Sequence, residues 1–264
     1  MALIDQFRSG DCELVWRRIV DESRPASDPE ASAVANETVL RARDNLSKIY
    51  ERLVEIGYDF DEPDEAFVTT TPEEAADEIS AIEAEYGALP ELVRIWYSHI
   101  RSVNFAQTET QGRAPDHDLR NLGMCPLAIY LPLKRCRELS IKIHADYTDW
   151  YRTTLAMTRD ESIKDYLSKC KTPEEMAKFL PLGSIASNNE NKGFALPCHL
   201  IDAEFFNDGE VTHFNEELRY VVLSGGFPIL GSDFYREKVP EFMRLGHPDP
   251  DSLMAFLTHD LQAI

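Results

Sequence analysis

The stretch Thr212-His-Phe-Asn-Glu-Glu-Leu-Arg-Tyr-Val-Val-Leu-Ser-Gly-Gly-Phe-Pro-Ile-Leu-Gly231 reads as an amphipathic helix that stops on paired glycines and an aromatic-proline corner. Phe214, Leu218, Val221 and Val222 fall at i, i+4, i+7 and i+8, so one face is apolar and needs a core. Gly225 and Gly226 accept the left-handed backbone that caps a helix, and Pro228 drives Phe227 into an extended exit. With no nucleophile, base or ligand set in it, the stretch speaks of architecture: it closes a domain.

Working outward toward the N-terminus, the chain is helical. Leu3, Ile4, Phe7, Leu14, Val15, Ile19 and Val20 suit short helices that need a partner. Asp28-Pro29 supplies an N-cap and a first-turn proline for a long helix with Val39, Leu46, Ile49, Tyr50 and Leu53 on one face and Gly57 at its end. An acidic loop from Asp59 to Asp64 leads to Phe67-Val68. Thr71-Pro72-Glu73-Glu74 then has the form of a capping box, followed by a helix with Ala75, Ile79, Ile82 and Tyr86 inward. Gly87 ends it, and Leu89-Pro90 opens a further helix with Leu92, Trp96 and Ile100 inward.

Strand character follows. Leu127 to Leu131 between prolines, Ile141 to Ile143, Phe179 to Ile185 and Phe194 to Ile201 are strand-like. The last two flank a polar loop from Ser187 to Gly193 and predict a hairpin. The region 150–180 is partly helical with a second Thr-Pro-Glu-Glu start at Thr172, and Asp249-Pro250 starts a last helix with Leu253, Phe256, Leu257 and Leu261 inward. Helices, then strands, then helices predict the α+β class: a mainly antiparallel sheet flanked by helices over 67–264, with an N-terminal helical extension over 1–66.

A chain of 264 residues with 43% hydrophobic residues can bury one sizeable core. No apolar run approaches the roughly 20 residues that span a bilayer, and the start lacks a basic region followed by an apolar one, so an unexported protein is expected. Five scattered cysteines, Cys12, Cys125, Cys136, Cys170 and Cys198, suit free thiols in a reducing compartment, which points to the cytoplasm. The net charge is −20, and thirteen acidic residues with no lysine or arginine lie between Leu53 and Val93. Such a surface repels nucleic acid and anionic membranes. It suits either solubility or the steering of a basic protein partner.

Glu78-Ile-Ser-Ala-Ile-Glu-Ala-Glu-Tyr-Gly-Ala-Leu-Pro90 with Trp96-Tyr97, Pro126-Leu-Ala-Ile-Tyr130, and Leu218-Arg-Tyr through Gly-Gly-Phe-Pro228 follow one another in the chain. Together these three stretches resemble the SUKH superfamily of Smi/Knr-type proteins. Asn104-Phe105 matches a "VNF"-like start of the sheet, and Lys192-Gly193 sits where members carry a lysine-containing loop. The chain departs from the pattern at Ile100-Arg-Ser-Val103, where many members have paired glycines. The resemblance spans roughly 68–231 and marks Gly87, Leu89, Pro90, Asn104, Phe105, Leu218, Arg219, Gly225, Gly226, Phe227 and Pro228 as structural signature residues. It implies a binding role: neutralisation of a toxin of a polymorphic or contact-dependent system by an immunity protein, or regulation of the kind linked to cell-wall synthesis in fungal relatives.

Catalytic motifs are not found: no Gly-x-Ser-x-Gly, Walker loop, Gly-x-Gly-x-x-Gly or His-Glu-x-x-His is present. Cys198-His199 is the only adjacent thiol-imidazole pair, and on a strand the two would face opposite ways. His117 between Asp116 and Asp118 lacks further ligands at metal spacing, and His144, His213, His247 and His259 read as isolated. No cofactor, metal or catalytic residue is expected. The expected partner surface is Asp59, Asp61, Glu62, Asp64 and Glu65, joined by the aromatics Tyr147, Trp150 and Tyr151. The partner is a protein, foremost a basic toxin domain. The alternatives are a regulatory scaffold without a toxin and a small-molecule hydrolase or ligand-binding enzyme around Cys198 or His117.

Overall fold

A computed structural model describes residues 2–105, 141, 144–145, 148–156, 179–185, 190–207, 210–227 and 250–264. The first elements are α1 (Leu3–Arg8), α2 (Cys12–Asp21) and the long α3 (Pro29–Glu55). Asp28 caps α3: its Oδ1 accepts from the N–H groups of Glu30 and Ala31 at 3.0 and 3.2 Å, and Pro29 fills the first turn. Along α3 the buried positions Ala31, Val34, Ala35, Thr38, Val39, Ala42, Asn45, Leu46, Ile49 and Leu53 recur every three or four residues. The one hydroxyl on that face is satisfied, because Trp16 Nε1–H donates to Thr38 Oγ1 at 3.1 Å.

After Gly57 the chain makes a 3-10 turn (Pro63–Glu65), then β1 (Phe67–Thr69), α4 (Pro72–Tyr86), α5 (Glu91–His99) and β2 (Ile100–Val103). The capping box at Thr71 forms as the sequence predicts: Thr71 Oγ1 accepts from Glu74 N–H and Glu74 Oε2 accepts from Thr71 N–H. Ala75, Ile79, Ile82 and Tyr86 are the buried face of α4. Ile100 is buried as expected but belongs to β2, which pairs antiparallel with β1 as Phe67↔Val103 and Val68↔Ser102. Ile100 and Val103, the β-branched residues of β2, suit an extended strand once a partner is present.

A second antiparallel sheet has the order β3 (Phe179–Ile185), β4 (Glu190–Ala195), β5 (Glu204–Asn207), β6 (Glu210–His213). The predicted hairpin is therefore present, with β4 starting inside the expected polar tip and ending at Ala195 rather than Ile201. Pro197, which donates no ladder hydrogen bond, stops it, so Cys198 and His199 lie outside any strand. The β5–β6 hairpin adds to the expected elements: Asp208-Gly209 is the sequence signal of a two-residue turn, but the strands it joins are only four residues long and show little periodicity of their own. Ile141, expected in a strand, is helical. The strand expected over 127–131 and the helix start at Thr172 lie outside the described residues.

β6 runs directly into α6 (Phe214–Leu223), and the last helix is α7 (Pro250–Thr258). Phe214, Leu218, Val221 and Val222 are buried, as the opening stretch predicts, and Gly225 and Gly226 take φ of +66° and +83°. The class is α+β with antiparallel pairing, and helices dominate the described residues. One hydrophobic core runs from Leu3 and Phe7 of α1 to Leu257 of α7 and Ile264. Helix α3 lies at its centre, packed on α1, α5, α6, α7 and β1. Thus the helices of 1–66 share a core with those of 67–264.

Candidate functional site

The loop between α3 and β1 alternates in character, and the structure turns that alternation into an exposed acidic rim. Tyr58 and Phe60 point into the core, while Asp59, Asp61 and Asp64 are exposed and Glu62 and Glu65 half-buried. The two rings meet edge-on at 4.9 Å and are packed by Phe227 at 5.8 Å from Tyr58 and Phe105 at 6.0 Å from Phe60. Tyr58 Oη donates to the Phe105 carbonyl at 2.6 Å, and burial pushes its phenol pKa up, which keeps it a donor. Asn104 Nδ2 donates to Glu62 Oε2 at 3.0 Å, and Ser102 Oγ to the Glu65 carbonyl at 2.8 Å. Signature residues Asn104, Phe105 and Phe227 are thus the supports of the acidic loop.

The other signature residues are structural too. Gly87 (φ +97°) ends α4, Leu89 is buried with its N–H donated to Glu83 Oε1, and Pro90 caps α5. Leu218 is fully buried, and Arg219 reaches Glu13 of α2 at 3.4 Å. Trp96 is core, stacked edge-on to Phe214 at 6.4 Å. Trp150 and Tyr151 sit together on a helical segment over 148–156, with Trp150 41% exposed. Tyr147, Pro228 and His117 lie outside the described residues.

Charge pairing is uneven. Arg8 and Arg41 hold Glu37, Arg18 and Arg24 hold Glu22, Arg24 also holds Asp28, and Lys48 and Arg52 hold Asp260. These cations lower the pKa values of Glu22, Asp28 and Asp260 through hydrogen bonds to the carboxylates. By contrast, no lysine or arginine among the described residues pairs with Asp59, Asp61, Asp64, Glu65, Glu73 or Asp77.

A second feature was invisible in the sequence. The segment Arg24-Pro-Ala26 docks on 199–201: Ala26 N–H donates to the His199 carbonyl at 2.8 Å and Ile201 N–H to the Arg24 carbonyl at 3.0 Å. Between the end of α2 and this segment lies a cavity of about 490 Å³. Ile19, Val20, Pro197, Leu200 and Ala203 make its apolar wall, and Ser23, Arg24, Cys198, Asp202, Glu204 and His213 its polar one. Asp202 is buried, accepting from Ala203 N–H at 2.9 Å and from both the backbone and side-chain amides of Asn215. Burial pushes its pKa up to about 6 against those hydrogen bonds and the nearby His213.

His213, which reads as isolated in the sequence, is therefore not isolated. Its Nδ1 lies 3.8 Å from Asp202 Oδ2, is buried, and makes no hydrogen bond. A one-residue-type pattern such as Asp-x(10)-His carries no signal, since only the β5–β6 hairpin brings the two together. Cys198 faces the same cavity, but burial and the Asp202 and Glu204 carboxylates push its thiol up, the opposite of what a thiolate nucleophile needs. His199 beside it is exposed. Among the described residues no three His, Cys, Asp or Glu side chains form a metal cage, and no helix is long and apolar enough to cross a membrane.

Compared with protein-family models, with curated proteins and with solved structures, the chain matches none.

Proposed function

We propose that this chain is a non-enzymatic binding domain of the SUKH type that takes a basic protein partner, foremost a toxin of a polymorphic or contact-dependent system, in the cytoplasm. The observation that carries the reading is the uneven pairing of charge: Glu22, Asp28, Glu37 and Asp260 are met by arginine and lysine, whereas Asp59, Asp61, Asp64, Glu65, Glu73 and Asp77 have no such partner among the described residues. Carboxylates held this way keep their field outward, which speeds association with a cationic surface and makes it salt-sensitive. The rigid aromatic support beneath the loop reduces the ordering cost of binding. Trp150 and Tyr151, with Tyr147 nearby in sequence, supply aromatic contact area of the kind that anchors interfaces.

The test is protection of a host cell from the product of the neighbouring gene, with and without charge reversal at Asp59, Asp61 and Asp64. Protection by the wild type that is lost in the Asp→Lys triple variant supports the reading. Equal protection by the folded variant removes the acidic loop from it, and no protection by either favours the regulatory scaffold.

A further inference from the structure

We propose that the cavity between the end of α2 and the 197–204 segment binds a small organic cation: a primary amine with a short aliphatic body. This site is separate from the acidic loop and does not rest on the partner reading. A volume of about 490 Å³ is that of a small-molecule site rather than a packing void. Ile19, Val20 and Leu200 offer an apolar surface that an alkyl chain covers without leaving a buried polar group unmet.

The charge in the wall selects the head group. Among the described residues Arg24 is the one lysine or arginine lining the cavity, and it is already engaged: Nε donates to Glu22 Oε2 at 2.7 Å and Nη1 to Asp28 Oδ2 at 2.6 Å. Asp202 and Glu204 have no lysine or arginine partner among the described residues, so the field entering the cavity is that of carboxylates. An anion is repelled there, and a neutral alcohol gains nothing from the field. An ammonium group is attracted, with Glu204 reachable at the exposed rim and Asp202 acting from within the wall. The buried Nδ1 of His213, lacking a hydrogen bond, adds an unmet polar atom beside Asp202.

The experiment titrates the full chain with n-butylamine, n-butanol and butyrate, following side-chain methyl resonances of Ile19, Val20 and Leu200 by NMR. The expected result is saturable shifts with n-butylamine at roughly tenfold lower concentration than n-butanol, and none with butyrate. Glu204→Gln, at an exposed position, weakens the amine about threefold and leaves butanol unchanged. Val20→Phe, which fills the cavity, abolishes the shifts with circular dichroism intact. Equal binding of n-butanol and n-butylamine, tighter binding of butyrate, unchanged amine affinity in Glu204→Gln, or no shift at these methyls with any probe would overturn the proposal.

Discussion

At the scale of single residues, two glycines separate backbone strain from steric crowding. Gly57 and Gly87 both hold positive φ, at +73° and +97°, yet a Cβ on Gly57 meets nothing within 4 Å, while one on Gly87 would stand 2.7 Å from Pro197 Cβ. Gly57→Ala is expected to cost about 1 kcal/mol and Gly87→Ala about 2–4 kcal/mol, measured by urea denaturation. Asp202 gives a pH signature. Its folded pKa of about 6 exceeds the ordinary carboxylate value, so below about pH 6 the folded state takes up a proton that the unfolded chain still releases. Its contribution to stability therefore grows as pH falls from about 6 to 4, and is lost as pH rises through about 6. Wild type minus Asp202→Asn, compared by denaturation at about pH 4.5 and 7.5, should shift toward the wild type at the lower pH. A difference that moves the other way contradicts the burial argument.

At the scale of elements, α3 works as the post against which the rest is clamped. Residues 260–264 lie along it: Asn45 Nδ2 donates to the Gln262 carbonyl and Asn45 Oδ1 accepts from Gln262 N–H, both at 2.8 Å, while Arg52 and Lys48 hold Asp260. Asn45 is fully buried, so removing its amide leaves two backbone groups of Gln262 short of partners. Asn45→Ala should cost about 2–4 kcal/mol and expose the α7 region to proteolysis first, whereas Lys48→Ala, an exposed pair, should cost under about 1 kcal/mol. Limited proteolysis with mass spectrometry checks both.

For the molecule as a whole, the decisive quantity is a net charge of −20 whose pairing is local rather than general. Asp59, Asp61, Asp64, Glu65, Glu73 and Asp77, which no lysine or arginine among the described residues meets, repel one another, and salt screens this repulsion over about 10 Å at 0.1 M. The melting temperature at neutral pH should therefore rise between about 10 and 300 mM NaCl, because exposed ion pairs on α1–α3 lose less than the acidic face gains. Association with the basic partner proposed above should slow over the same range, by about tenfold or more in stopped-flow measurements. A salt-independent rate would argue for an apolar interface instead.

Local chemistry wrote much of the fold into the sequence. Asp28-Pro29, Thr71-Pro72-Glu73-Glu74 and Gly225-Gly226 each fix a helix end through a cap or a positive φ, and the 3.6-residue periodicity of α3, α4 and α6 marks their buried faces. The acidic loop from Asp59 to Asp64 was legible as a run of charge, whereas the inward placement of Tyr58 and Phe60 beneath it came from the structure. Four-residue strands such as β2, β5 and β6 are too short for periodicity to identify; cross-strand hydrogen bonds define them. The cavity shares that cause. Arg24, Cys198, Asp202 and His213 are brought together by the docking of 24–26 on 199–201 and by the β5–β6 turn, and no spacing in the chain encodes a contact between segments about 175 residues apart. Caps, stripes and charge were properties of the sequence itself, because their physics acts within a few residues. Which carboxylates find a cation, and which line a cavity, only the tertiary structure decided.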